Sequence, residues 1–232
     1  MQQVVKTTHY FGRLFEVEMH TFKWSSLPFL MKKSFIIVLV NLLLGLIAQG
    51  QIKYGLKAGL NVANQTKNMS IPQVPNTIQN TKPMPGYQLG GFVKATLSKH
   101  LSLSAEPAFS VVGAGMTLLD DNLKSYNVRE KIGYIELPLI LQYKLQQLYF
   151  GAGPSVGVKV FSKLSGFENR SFDITHYKPF DAAGNVVVGY ALSKKVDLNA
   201  RYSHGFTNLI KDPGNATTKN RFFNLSVFFY LQ

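Results

Sequence analysis

The chain has 232 residues, 25 Lys and Arg against 12 Asp and Glu, no cysteine, and a formal net charge of +13. Without cysteine there is neither a disulfide framework nor a Cys-based metal centre. The basic balance leaves nucleic acid, an anionic membrane surface or an acidic ligand as candidate partners.

Residues 1–30 show neither helical nor alternating periodicity over a useful length. Residues 31–51, MKKSFIIVLVNLLLGLIAQGQ, have the three parts of an export signal. Lys32 and Lys33 form a positive head, Phe35 to Ile47 an apolar run, and Ala48-Gln49-Gly50 a small-residue cleavage site. The apolar run falls short of the ~20 residues of a membrane-spanning helix. The expected organisation is therefore 1–30 as an upstream extension, with Met31 the true start, 31–50 as a signal peptide, and 51–232 as one domain. A genuine cytoplasmic or juxtamembrane extension is the alternative for 1–30. Export argues against nucleic acid as the partner. Residues 1–50 hold five Lys/Arg and two Asp/Glu, so 51–232 keeps 20 basic and 10 acidic residues.

From residue 52 on, apolar side chains recur at period two, the signature of strands with one apolar face. In 52–62, Ile52, Tyr54, Leu56, Ala58, Leu60 and Val62 oppose Lys53, Gly55, Lys57, Gly59 and Asn61. The same alternation marks 87–97, 101–111, 134–145, 148–161, 180–192, 196–206 and 221–232. These eight segments of about ten residues each match tilted strands crossing a bilayer. The connections 98–100, 146–147 and 193–195 are tight, while 63–86, 112–133, 162–179 and 207–221 are long and polar.

Short turns on one side and long loops on the other predict an all-β fold, an eight-stranded antiparallel up-and-down transmembrane barrel. Closure satisfies every backbone group in lipid. The inward set would hold Lys53, Lys57, Lys94, Glu106, Glu136, Lys144, Lys159, Asp197 and Arg201. Charges of both signs in so narrow a lumen predict a paired plug rather than an open pore. Pro107, Pro138 and Pro154 fall inside predicted strands and read as bulges or rim positions. A soluble lipocalin-type barrel would reverse the faces, and parity alone does not distinguish the two. Aromatic weight at strand ends, an apolar face almost free of charge, and a polar set rich in Gly and Ser favour lipid outside.

Several short motifs carry a family resemblance. They are Gly55-Leu56-Lys57-Ala58-Gly59-Leu60-Asn61, Leu101-Ser102-Leu103-Ser104-Ala105-Glu106-Pro107, Tyr134-Ile135-Glu136-Leu137-Pro138-Leu139, Gly151-Ala152-Gly153-Pro154 and Arg201-Tyr202-Ser203-His204-Gly205-Phe206. In this order and spacing the sequence resembles PorT-like outer membrane β-barrel proteins of the Bacteroidetes over 51–232. The resemblance implies an exported barrel of a Gram-negative outer membrane. The chain departs from the usual pattern in lacking a terminal aromatic, since it ends Phe229-Tyr230-Leu231-Gln232, which leaves Tyr230 to serve in its place. The family's namesake is associated with protein secretion, but most members have no assigned activity, and secretion is not carried over to this chain.

Catalytic readings are weak. Glu106 and Glu136 could do acid–base work, but charge neutralisation by Lys57, Lys94 and Arg201 is the better reading. Ser203 and His204 are adjacent on a strand and so face opposite ways. There is no HExxH, nucleophile elbow or phosphate loop, and the five histidines lack ligand spacing. The expected protein is thus not an enzyme and needs no cofactor. It is a barrel with a side-chain-filled lumen and a structural or binding role through its long loops. The alternative is a small pore or a subunit of a secretion assembly. Basic loop residues (Lys67, Lys82, Lys163, Arg170, His176, Lys178, Lys211, Lys219 and Arg221) read first as simply solvated, and otherwise as meeting lipopolysaccharide phosphates or an acidic partner. The expected partners are outer-membrane lipid and lipopolysaccharide and the barrel-assembly machinery, with an envelope protein as a further candidate. The expected site is a lumen charge network of Lys57, Lys94, Glu106, Glu136 and Arg201.

Overall fold

A computed structural model describes residues 51–69, 81–119, 125–167, 170–173, 177–211 and 216–231. The expected upstream extension (1–30), the expected export signal (31–50) and parts of the four expected long connections lie outside the described residues. Among the described residues ten β segments form one antiparallel sheet. They are β1 (Ile52–Met69), β2 (Met84–Thr96), β3 (Leu101–Ala105), β4 (Ala108–Leu119) and β5 (Ser125–Leu145). There follow β6 (Leu148–Phe167), β7 (Arg170–Asp173), β8 (Phe180–Ala191), β9 (Val196–Gly205) and β10 (Ala216–Tyr230).

Ten segments make eight strands. β3 and β4 both pair with β2 on one side and β5 on the other, so they are one strand interrupted at Glu106-Pro107. β7 and β8 succeed each other along β6 in the same way. The ring closes where β1 pairs with β10, from Gly55 opposite Tyr230 to Met69 opposite Ala216.

The faces follow the alternation. Leu56, Leu60, Val62, Leu89, Val156, Val186, Phe223 and Leu225 point outward and are exposed, as a wall against hydrocarbon requires. Lys57, Asn61, Gln88, Glu106, Arg201 and Asn224 point inward and are buried. An arginine at Leu225, which is 62% exposed in the apolar band, puts a charge into lipid. Leu225→Arg is therefore expected to destabilise the refolded barrel by about 2 kcal/mol or more in lipid vesicles. A urea titration followed by circular dichroism measures it.

Three expectations need correction. The strands run well beyond their predicted ends, to 21 residues in β5 and 20 in β6. Most of the described parts of 63–86, 112–133, 162–179 and 207–221 are therefore sheet rather than loop. Above the apolar band the outer face meets water and headgroups, so Arg129, Lys131, Lys163 and Arg221 replace the aliphatic residues there. The inward positions Val128, Glu130 and Ile132 continue undisturbed. The outward half of the pattern ends while the strand does not.

The prolines behave differently from one another. Pro107 does break the ladder, its carbonyl accepting from Gly91 N at 3.0 Å, yet parity carries on through Ala108, Ser110 and Val112. Pro138 and Pro154 sit inside continuous strands. The register shift in this part of the sheet falls at Gly133/Tyr134 opposite β6, where Val160 is left unpaired. The third correction concerns the lumen, which is not wholly polar. Phe92, Ile140, Phe222 and Phe228 also point inward and are buried.

Candidate functional site

The inward residues stack in layers along the barrel axis. At the centre Glu106 accepts from Lys57 Nζ at 3.0 Å and forms a second ion pair with Arg201 Nη2. All three side chains are fully buried. They come from β1, the β3–β4 break and β9, so three separate strands are tied across the lumen. The break matters locally. With Pro107 out of the ladder, Glu106 N still donates to Pro138 O at 3.0 Å, which holds the carboxylate at this height. Beside this triad Gln88 Nε2 donates to a Glu136 carboxylate oxygen.

Below the triad lies an aromatic floor. Phe92 packs on Phe228 with centroids 5.0 Å apart and edge-on to Tyr230 at 4.9 Å. The Lys57 ammonium stands 5.6 Å from the centre of the Phe228 ring. Space for these rings comes from Gly55. A Cβ there would come within 2.8 Å of Phe92 Cε1 and would run into the Phe229 carbonyl of the neighbouring strand.

Lower still, Asp197 accepts from Tyr230 OH at 2.6 Å and lies 3.6 Å from Lys94 Nζ. Above the triad, Asn61 Nδ2 donates to Ser110 Oγ at 3.1 Å, and Asn224 Nδ2 to Asn61 Oδ1 at 2.7 Å. Higher again, Glu130 accepts from Lys67 Nζ at 2.9 Å and from Gln65 Nε2 at 2.7 Å. A hydrophobic cluster of Ala63, Val112, Ile132, Tyr134, Tyr177, Leu209 and Phe222 fills the upper lumen. Between Tyr134, Glu136, Asp181 and Phe222 the internal void is about 20 Å³, room for roughly one water.

Of the five residues expected to form a charge network, the structure joins Lys57, Glu106 and Arg201 directly. Glu136 is held by Gln88, and Lys94 belongs to a separate layer with Asp197. Of the other residues assigned inward, Lys53 and Lys144 are exposed at the mouth of the barrel. Lys159 is half-buried and donates to Tyr177 O at 2.8 Å. Lys67, expected on a loop, is inside and paired. Sequence reasoning missed the aromatic floor and the Glu130 pair. Phe92 and Phe228 break the polar pattern of their face, and that break is the signal that could have found them. Ser203 is buried inside while His204 is outside near Tyr202, so they do not form a pair. Among the described residues no three His, Asp or Glu side chains gather as metal ligands.

A closed eight-stranded ring, apolar outside and polar or aromatic within, defines the chain as an outer-membrane-type β-barrel. The chain belongs to the outer membrane protein β-barrel domain family, whose sequence model matches residues 47–211. That family places it in the outer membrane of a Gram-negative bacterium. No curated protein matches it in sequence. Among solved structures it is similar to Neisserial surface protein A, at 10% identity and TM-score 0.47, over 76% of this chain and 96% of that one. It is similar to Ail, the attachment invasion locus protein of Yersinia pestis, at 10% identity and TM-score 0.42, over 78% of this chain and 99% of Ail. OprG of Pseudomonas aeruginosa aligns at 11% identity and TM-score 0.41, over 78% and 95% of the two chains.

Proposed function

We propose that this chain is a non-conducting, non-enzymatic barrel that acts through its outer wall and loops, as a binding or structural element of the outer membrane. The observation that carries this is the buried Lys57–Glu106–Arg201 triad standing on the Phe92–Phe228 floor. An ion crossing the lumen would have to break an ion pair that has no solvent around it and displace two packed rings. The purified barrel in planar lipid bilayers is expected to show no stepwise conductance. Regular unitary steps would favour the small pore or secretion subunit instead.

The outer wall supplies a partner chemistry. Lys82, Arg129, Lys131 and Lys163 lie on the outer face above the apolar band, without an acidic partner among the described residues. Lys131 and Lys163 are direct cross-strand partners. Like charges so placed repel each other, and an anion between them relieves that repulsion. Lipopolysaccharide phosphates sit at this height and fit the site. Residues 31–50 serve as the removable export signal in this reading, 1–30 as an extension outside the exported protein, and β10 as the strand that the barrel-assembly machinery recognises. The PorT-like resemblance supports an envelope role alongside a protein partner, and secretion is not carried over with it.

A further inference from the structure

The end of the barrel where the short turns 98–100, 146–147 and 193–195 lie opens into a cavity of about 620 Å³. In barrels of this class short turns face the periplasm. The volume falls in the range of small-molecule pockets, ~300–1,000 Å³. Five lysines line it: Lys53, Lys94, Lys99, Lys144 and Lys194. Among the described residues the only carboxylate lining it is Asp197, already engaged by Tyr230 OH and close to Lys94. The other four ammonium groups make no hydrogen bond or ion pair among the described residues.

Two further observations point to a ligand. Gln142 lines the same cavity, the residue is only 2% exposed, and its Nε2 has no hydrogen-bond partner among the described residues. A buried amide donor left without an acceptor is costly, so turning this amide toward an acceptor in the cavity is a gain. The floor is aromatic as well, with the Lys94 ammonium 4.9 Å from the Tyr149 ring centre and 5.3 Å from that of Tyr230. Several like charges around a concave, low-dielectric wall focus a positive potential into the opening. All five cations are lysine. Planar carboxylates are best gripped by the arginine fork, whereas lysine binds phosphate as a point charge.

We propose that this periplasmic vestibule is a binding site for a multiply charged, phosphate-bearing ligand. Several ammonium groups would surround the phosphate oxygens, the Gln142 amide would donate to one of them, and Tyr149 and Tyr230 would floor the site. The proposal is independent of the sealed lumen above it and of the cations on the outer wall, which lie at the other end of the strands.

The test is isothermal titration of the full barrel in an uncharged detergent at low salt, with two probes. Pyrophosphate stands for a soluble phosphoanion and dihexanoyl phosphatidylglycerol for a lipid headgroup. Pyrophosphate is expected to bind at one site, and the triple variant Lys53→Gln, Lys144→Gln, Lys194→Gln to weaken it by about tenfold or more. A control triple variant of the outer wall, Arg129→Gln, Lys131→Gln, Lys163→Gln, should leave it unchanged. Heat-dependent gel mobility establishes that each variant is folded. If the lipid probe competes with pyrophosphate at the same site, the ligand is a headgroup; if it does not, the ligand is soluble. Binding that survives the vestibule variant, or falls only in the outer-wall variant, overturns the proposal, as does the absence of binding by both probes.

Discussion

Replacing Glu106 with alanine is expected to lower the stability of the folded barrel by about 3–5 kcal/mol, the cost of leaving buried charges without a partner. Glu106 is the only carboxylate bonded to either Lys57 or Arg201 among the described residues, and all three side chains are fully buried. Removing it leaves two fully buried cations facing each other. The loss comes from uncompensated charge rather than from the value of the pair itself. A triple variant that replaces all three by apolar residues, Lys57→Met, Glu106→Leu, Arg201→Met, should therefore recover most of the stability. Urea unfolding of the barrel in detergent, followed by circular dichroism, measures both. Fluorescence is no substitute, because the only tryptophan, Trp24, lies in the first thirty residues. If Glu106→Ala costs less than about 1 kcal/mol, water reaches the triad and the lumen is not sealed at this layer.

Gly55→Val is expected to abolish the folded, heat-modifiable form of the protein on a denaturing gel. Gly55 lies at the closing seam, opposite Tyr230 on one side and Phe92 on the other. A side chain there meets the Phe229 carbonyl, which is backbone and cannot rotate away, as well as the Phe92 ring. Relief requires β1 and β10 to separate, and they are the two strands whose pairing closes the ring. An open ring would leave unpaired backbone groups in hydrocarbon, each costing several kcal/mol. The neighbouring substitution Leu56→Val is the control. Leu56 is 57% exposed and faces lipid, so trimming it should leave the mobility shift intact. A Gly55→Val protein that still shifts on heating would mean that the seam tolerates local separation.

The sequence made the fold legible because a membrane barrel uses two solvents. Hydrocarbon outside selects one class of residue, and the lumen selects another, so period two appears wherever a strand crosses the bilayer. The eight segments, the tight turns and the inward direction of Lys57, Glu106, Glu136 and Arg201 were all readable on that basis. The strand ends were not. Where Arg129, Lys131 and Lys163 take over the outer face, the outer solvent is no longer apolar and the contrast between faces disappears, although hydrogen bonding continues to Ser125 in β5 and Phe167 in β6. The mixed character of the lumen was equally hidden. Phe92 and Phe228 have the residue type of the outer face and the parity of the inner one.

What the sequence by itself determined is which side chains share a face within each regular stretch of strand, because alternation depends only on the neighbours along one strand. Which inward side chains meet was decided by the tertiary structure. Lys57 and Glu106 are separated by 49 residues and Arg201 and Glu106 by 95, and nothing local brings them to one height. Their meeting depends on the stagger of every strand between them, on the unbroken parity across Pro107 and on closure of β1 against β10. The same stagger sends Lys94 to Asp197 and leaves Lys53 and Lys144 at the vestibule. Register around a closed ring is a sum over many strand pairs, so a one-residue slip in any of them would give the same faces a different set of partners.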